Sequence, residues 1–284
     1  MYFELSACTR QRAFFCVLAL GLLAGAPRYS SAQSFAASAR DTTPSKTFFT
    51  KKDLVYSAAA LAGSAILSAY DLRIRDWSQS PHVQGSPQRQ ENVESFTKIN
   101  EQPLTLAALG TYAVGRVSHS NTITDVGLHF TEAMVLTVAV SEVIRVPVGR
   151  TRPRSSPDNQ YDFHFGGGFS HFDERSYPSL HASAAFAAAS VLSGELKLRN
   201  PNAAKYVAPV LYAAATVPGF TRIYLDQHWA SDILSGTFVG VLLGSRVVQY
   251  AHSHKQTRFD RWMTGVNVVP NRDGGVLVLV NRQP

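Results

Sequence analysis

Residues 221–232 read Thr-Arg-Ile-Tyr-Leu-Asp-Gln-His-Trp-Ala-Ser-Asp, and residues 177–181 read Tyr-Pro-Ser-Leu-His. In the first stretch His228 and Asp232 are four residues apart, so on a helix they share one face, where a carboxylate can orient an imidazole. In the second stretch Ser179 is an N-cap residue, and the free N–H groups of the helix that it opens form an anion site. Both stretches therefore indicate helices, each with a histidine near its beginning.

A third segment, residues 145–154, is rich in arginine. Its arginines are Arg145, Arg150, Arg152 and Arg154. Guanidinium groups this close repel one another unless an anion lies among them, and arginine binds phosphate oxygens through two parallel hydrogen bonds. With Arg222 from the first stretch, the segment indicates a phosphate site. Taken one at a time, the three segments also fit a solvated basic turn, an ordinary helix start and a surface His–Asp pair.

The remaining sequence consists of apolar stretches separated by polar loops. Six stretches have the length and flanking signals of helices, at residues 54–70, 103–115, 122–145, 181–194, 201–224 and 228–250. Hardly any β pattern lies between them, so the sequence predicts an all-α fold, a helical bundle of about six core helices. Near the end, residues 266–269 and 276–280 flank a Pro-Asn-Arg-Asp-Gly-Gly turn and predict a short C-terminal β-hairpin.

Two long loops interrupt the predicted bundle. Residues 78–95 are polar and contain prolines, and residues 154–177 combine glycines with tyrosines and phenylalanines. Loops of this length in a compact domain are usually functional or disordered, and the aromatic content of the second argues against disorder. We expect residues 154–177 to shape the opening of the phosphate site.

Length and composition exclude several classes of protein. The chain has 284 residues, of which 45% are hydrophobic and 17% charged, so it can bury a sizeable core and is not disordered over most of its length. Its 19 glycines and two cysteines exclude collagen-like and disulfide-framework proteins. No basic run interleaved with aromatic residues points to a nucleic acid. The formal net charge of +7 suits anionic substrates or an anionic membrane surface.

The N-terminus has the pattern of a signal peptide. Arg10 and Arg12 precede an uncharged stretch at 13–27, and the small residues ending at Ala32 suit a signal peptidase. The sequence therefore predicts a signal peptide at 1–32 and a flexible lead-in at 33–49. A helical domain at 50–255 and a tail at 256–284 follow. A signal anchor that stays attached is the alternative.

The predicted location is the periplasm or outside the cell. The longest of the six uncharged stretches has 17 residues, short of the ~18–20 that mark a membrane span. We therefore expect a soluble bundle or one with peripheral membrane contact, with embedding in the inner membrane as the alternative. The oligomeric state is left open.

In order, the three segments resemble the type 2 phosphatidic acid phosphatase superfamily, which also contains bacterial class A acid phosphatases and vanadium haloperoxidases. The family pattern is K-x6-R-P, then P-S-G-H, then S-R-x5-H-x3-D. Here it reads Arg145-x6-Arg152-Pro153, Pro178-Ser179-Leu180-His181 and Thr221-Arg222-x5-His228-x3-Asp232, with 24 and 39 residues between the blocks. Arg145, Leu180 and Thr221 replace the family's lysine, glycine and serine. The helical organisation extends the resemblance over roughly residues 50–250.

The resemblance implies a role for each matching residue. His228 would attack phosphorus and become a phosphohistidine, Asp232 would orient it, and His181 would protonate the leaving oxygen and then activate water. The phosphoryl oxygens would be held by Arg145, Arg152, Arg222, Ser179 and the N–H of Leu180. Arginines can supply the positive charge without a metal, so we expect no cofactor. The expected activity is hydrolysis of a phosphomonoester or a lipid phosphate or pyrophosphate, with a bell-shaped pH profile at mildly acid to neutral pH.

Two other functions remain as alternatives, and a metal site is disfavoured. A vanadate-dependent haloperoxidase would use the same pocket, and a non-catalytic periplasmic protein would bind phosphate or lipid headgroups without turnover; Leu180 in place of glycine is the support for the second. His164 and His171 could form a metal trio with His181, but they lack the spacing of a zinc site.

Overall fold

The structure, a computed structural model, describes residues 47–98, 100–254, 266–270 and 276–280. The predicted signal peptide and all but the end of the predicted lead-in lie outside the described residues. The described chain is mostly helical, which confirms the predicted α class. Its helices are α1 (Lys51–Ser68), α2 (Asp71–Gln79), α3 (Pro87–Phe96), α4 (Glu101–Val117), α5 (Asn121–Val148), α6 (Leu180–Arg199), α7 (Pro201–Tyr224) and α8 (Ala230–Ser253).

The predicted count of about six helices is too low for the described residues. The six apolar stretches correspond to α1 and α4–α8, while α2 and α3 are additional. The polar segment 78–95, predicted as a loop, contains a single helical turn at Pro81–Gln84 and most of α3. Both begin with a proline in the first helical turn, a position where the missing N–H costs nothing. Proline here starts helices, whereas the sequence prediction used it as a sign of a loop.

The N-termini of α6 and α8 lie together because the two helices pack at very short range. Three glycines of α8 face α6: a Cβ atom on Gly236, Gly240 or Gly244 would lie 2.4, 2.2 and 2.7 Å from the carbonyl oxygens of Ser179, Ser183 and Ala187. Backbones can approach this closely only where side chains are absent. α6 also packs against α5 and α7, so it is the central helix of the bundle.

Within the described part of the chain, α5 and α8 are long and apolar enough to cross a membrane, and α1 with α2 would add a third span if this pair, bent by 57°, is counted as one. The prediction that no stretch is long enough is therefore wrong. It counted uninterrupted uncharged residues, but Glu132 and Asp232, which end two of these stretches, are 8% and 0% exposed. Charged groups that face the protein interior do not lower the apolarity of the outer surface.

The C-terminal tail has two short strands, β1 (Val266–Pro270) and β2 (Val276–Val280), whose backbones pair antiparallel. Their side chains and the connection at 271–275 lie outside the described residues. The predicted β-hairpin therefore stays a prediction.

Candidate active site

Two helix N-termini meet at the centre of the predicted site. The N–H of Ser179, the N-cap of α6, donates to the carbonyl oxygen of Asp232 in the first turn of α8, at 3.1 Å. The Ser179 hydroxyl accepts from the N–H of Ala182 at 3.5 Å. Within the described part of the chain, the N–H groups of Leu180 and His181 have no acceptor. The positive ends of two helix dipoles and two free donors therefore converge where the sequence predicts a phosphate.

His228 is 2% exposed and lies at the centre of the site. It precedes α8, which begins at Ala230 rather than at His228 as predicted, because the Asp232 carboxylate accepts the N–H of Trp229 at 2.9 Å and so begins the helix there. His228 Nδ1 is 3.6 Å from Asp232 Oδ2, a charge contact longer than a hydrogen bond. His228 Nε2 is buried and has no partner among the described residues, so its lone pair is available to a ligand.

Asp232 is fixed by three donors and is fully buried. Besides the Trp229 N–H, the hydroxyl of Ser176 donates to Oδ2 at 2.6 Å and Arg150 Nη1 donates to Oδ1 at 2.6 Å. Arg150 Nη2 also donates to Asp71 Oδ2 at 2.9 Å. Sequence reasoning assigned no role to Ser176 or Asp71, and it placed Arg150 only within the arginine-rich segment that indicates a phosphate site. The structure instead uses Arg150 to hold the carboxylate that faces His228.

The arginines divide into two groups by their partners. Arg145 forms two contacts of 3.1 Å with Glu142, and Arg154 pairs with Asp173. Carboxylates therefore neutralise Arg145, Arg154 and Arg150. The sequence analysis expected these arginines to repel one another and did not predict their carboxylate partners. The remaining two, Arg152 and Arg222, have no carboxylate within 4.0 Å among residues 47–98 and 100–254.

Arg152 and Arg222 have unused donors. Arg152 Nη1 donates to Gln227 Oε1 at 2.8 Å, and its guanidinium lies 4.7 Å from the centre of the Phe172 ring. The Nε atoms of both arginines are buried without a partner among the described residues. Burial and the charges of Arg154 and Arg145 lower the pKa of Arg152 to about 10. Positive charge is therefore concentrated beside His228 without being fully compensated, as expected of a site for an anion.

His181 lies beside His228, with 6.3 Å between the ring centres. Its Nε2 accepts a hydrogen bond from Arg222 Nη2 and is 3.8 Å from Glu101 Oε2, while its Nδ1 is buried without a partner in the described region. Burial and the charge of Arg222 lower the pKa of His181 well below its usual value. His181 is thus neutral at neutral pH when no anion is bound, whereas a proton donor must be protonated.

The predicted site residues come together, and Arg145 alone differs in its partner. The site where the two helix N-termini meet contains His181, His228, Asp232, Arg152, Arg222, Ser179 and the N–H of Leu180. Arg145 lies close enough for its charge to lower the pKa of His181, but its guanidinium is paired with Glu142. The Leu180 side chain is buried, at 4% exposure. The Thr221 hydroxyl donates a hydrogen bond to the Pro218 carbonyl oxygen within α7, so it bonds to the helix backbone.

Two cavities flank the site. One of about 620 Å³ is lined by the 154–177 loop, including Arg154, His164 and Phe172; the other, of about 600 Å³, reaches Arg222 and Gln227. His164 contacts Asp162 and Glu174, at 3.5 and 3.2 Å, while His181 contacts Arg222. The loop is anchored by Gly149, whose φ of 63° ends α5 and whose missing side chain leaves room for the His164 carbonyl, 1.8 Å from where a Cβ would lie.

The burial of His228 predicts the pH at which its ring takes up a proton. Burial lowers it to about 4, although Asp232 acts in the opposite direction. The ring should therefore stay neutral from pH 7 to about pH 5 and take up a proton only around pH 4, below the mildly acid range expected from the sequence. NMR of protein with ¹⁵N-labelled histidine, with the His228 signals assigned by their loss in His228→Gln, measures this directly. Titration of that ring near pH 6.5 would contradict the burial argument.

Together, the fold and the site define a helical bundle with a buried imidazole where two helix N-termini meet. Beside it lie two guanidinium groups that no carboxylate of the described residues contacts. Residues 127–256 match the family model described as the PAP2 superfamily. This match confirms the resemblance that the three motifs indicate.

Two known proteins are similar to this chain. Lipid A 1-phosphatase of Porphyromonas gingivalis is 41% identical over 69 residues, which are 24% of this chain and 15% of that protein. The chain therefore matches only a small part of that relative. The crystal structure described as the first transmembrane PAP2 type phosphatidylglycerolphosphate phosphatase from Bacillus subtilis has a TM-score of 0.50 and 20% identity, covering 71% of this chain and 98% of that one. At this identity the likeness shows a shared fold.

Proposed function

We propose that this protein is a lipid phosphatase that transfers the phosphoryl group first to His228 and then to water. The observation that carries the proposal is the Nε2 of His228, which has no partner among the described residues and is buried beside two guanidinium groups whose Nε atoms likewise have none there. A buried nitrogen with a free lone pair costs stability unless a ligand uses it. A tetrahedral phosphate would satisfy the imidazole and the arginines together.

In the first step Nε2 attacks phosphorus while the bond to the leaving oxygen breaks. The Asp232 carboxylate, 3.6 Å from Nδ1, offsets the positive charge that develops on the ring. Arg152, Arg222 and the N–H groups of Leu180 and His181 bind the phosphoryl oxygens, where charge accumulates in the transition state. In the second step water attacks the phosphohistidine and phosphate leaves.

The leaving oxygen takes its proton from His181 once substrate is bound. Arg222 now occupies His181 Nε2, so it must turn toward the phosphate before His181 can act. The anion would then offset the arginine charges that lower the pKa of His181, so that substrate binding would itself raise this pKa and favour the protonated acid. The arginines supply charge that a metal supplies in other phosphatases, and we therefore propose catalysis without a metal.

A lipid substrate is supported by the apolar outer surface. Large apolar side chains are exposed on several helices, among them Leu54 at 74%, Val143 at 74% and Val210 at 66%. Together with the length and apolarity of α5 and α8, this favours a membrane-embedded protein over the soluble or peripheral bundle expected from the sequence. The two similar proteins are named for action on lipid phosphates. Export by a signal peptide remains a prediction.

Phosphate release by the full-length chain tests this proposal. Purified protein in detergent micelles would be given lipid A carrying a 1-phosphate, phosphatidylglycerophosphate and a water-soluble chromogenic monoester, each with and without brief exposure to EDTA. We expect faster release from one or both lipids than from the soluble ester, unaffected by EDTA. Faster hydrolysis of the soluble ester would contradict the lipid class, and activity lost at once in EDTA would contradict metal-free chemistry. No release from folded protein on any substrate would overturn the function.

A further inference from the structure

Three potential metal ligands from three helices lie together at the other end of the bundle. They are His129 of α5, Glu195 of α6 and His252 of α8. Glu195 Oε1 is 2.5 Å from His129 Nδ1 and 3.0 Å from His252 Nε2, and one ligand atom from each residue lies within 4.8 Å of the other two. The two imidazole rings are 5.2 Å apart between centres.

This cluster is separate from the phosphate site. Glu195 follows His181 by 14 residues on the same helix, which places the two about 21 Å apart along its axis at 1.5 Å per residue. No residue of the cluster belongs to the three motifs, and the proposed phosphatase chemistry uses none of them.

We propose that His129, Glu195 and His252 bind one divalent transition-metal ion of the zinc class. Two imidazole nitrogens and one carboxylate oxygen are a ligand set that Zn²⁺ uses, with bonds of about 2.0–2.2 Å. Ligands at such distances around a tetrahedral ion are separated by about 3.3–3.5 Å. Small shifts from the present separations, 2.5 and 3.0 Å, would therefore make room for the ion.

The surroundings favour this arrangement. Arg199 Nη1 donates to Glu195 Oε2, which orients the carboxylate and leaves Oε1 for the ion, as groups behind metal ligands commonly do. Glu195 and His129 are buried, with 1% and 6% exposure, while the side chain of His252 is 36% exposed. An ion can therefore enter past His252, and water can take a fourth position.

Binding would change the proton positions at both imidazoles. Each ligating nitrogen must carry no proton, so a neutral ring that donates to Glu195 moves its proton to its other nitrogen, and a protonated ring releases one proton to solvent. The ion would join the ends of α5, α6 and α8. Because it binds the folded state alone, it should raise the unfolding temperature without taking part in phosphoryl transfer.

Metal binding by the full-length chain in detergent tests the proposal. Protein stripped with EDTA and freed of the chelator would be titrated with Co²⁺, whose visible absorption reports tetrahedral coordination, and then with Zn²⁺ while unfolding is followed. We expect one ion per chain and a higher unfolding temperature. His252→Ala and Glu195→Gln should each weaken binding by roughly 100-fold or more, since loss of a supporting group behind a ligand already costs about 10–100-fold.

His254→Ala is the matched control, because His254 follows His252 by two residues and stacks on Tyr250. This variant should bind the metal ion as tightly as the wild type does. His252→Ala changes a partly exposed side chain and should fold even if Glu195→Gln does not. Equal binding by wild type and His252→Ala would place the ion elsewhere, and no binding by the wild type would leave a hydrogen-bonded His–Glu–His cluster; either result overturns the proposal. Phosphatase activity below the unfolding temperature is a separate readout, so this proposal and the proposed function can fail independently.

Discussion

Replacing His228 by glutamine should lower kcat by about 10⁴-fold or more, the scale of loss when a nucleophile is removed from a catalytic unit. Among the described residues, His228 Nε2 is buried without a partner beside Arg152 and Arg222. His181, the neighbouring imidazole, has its Nε2 bound by Arg222 and its Nδ1 free among these residues, and its proposed role is proton transfer. Glutamine is preferred to alanine because the ring is 2% exposed, and a smaller residue would leave a destabilising cavity.

The measurement is single-turnover phosphate release together with trapping of labelled phosphoprotein by an alkaline quench. Wild type should show a phosphorylated intermediate, and His228→Gln should show none. His171→Gln is the matched control, since His171 lines the outer cavity of the 154–177 loop and contacts neither His228 nor Asp232. A His228→Gln protein that is folded and keeps more than a tenth of the wild-type rate would exclude His228 as the nucleophile.

The residues of this site could be predicted from the sequence because their signals are local. A serine that caps a helix, a histidine two residues later and a His–Asp pair four residues apart can be recognised without knowing what packs against them. The supporting residues could not be predicted in this way. Arg150 contacts Asp71 across 79 residues and Asp232 across 82, and Ser176 is a serine among many until Asp232 is placed 2.6 Å from its hydroxyl.

The apolar pattern of the sequence predicted the helices of the bundle. The sequence misled where a proline begins a helix and where a charged residue is buried. The six apolar stretches became helices, but Pro81 and Pro87 were interpreted as loop residues, although each begins a helical segment. The sequence analysis underestimated the length of the helices that could cross a membrane. It ended each apolar stretch at a charged residue, and the sequence does not show whether that side chain faces the protein interior or the outer surface. Glu132 is 8% exposed, and only packing against the bundle makes that visible.

Asp232→Asn should lower kcat by about 10³–10⁴-fold with a much smaller effect on KM, by analogy with the loss seen when the carboxylate behind a catalytic histidine becomes an amide. Asp232 presents two oxygens, one to Arg150 and one to Ser176, Trp229 and the His228 ring. The asparagine amide has one oxygen that accepts and one nitrogen that only donates, and it carries no negative charge. It therefore loses the charge that stabilises the phosphorylated imidazole and the orientation of Nδ1.

Asp71→Asn separates this catalytic effect from a loss of stability. Asp71 and Asp232 are both fully buried carboxylates that bind Arg150, at 2.9 and 2.6 Å, but only Asp232 contacts His228. Each substitution leaves Arg150 with one anion fewer, so each should lower the free energy of unfolding by about 3–5 kcal/mol, the usual cost of breaking a buried pair. Only Asp232→Asn should also remove phosphoryl transfer, while Asp71→Asn keeps kcat within about tenfold of wild type at a temperature where both are folded. If the two variants lost kcat equally, the carboxylate of Asp232 would act through Arg150 and the shape of the site rather than through the imidazole.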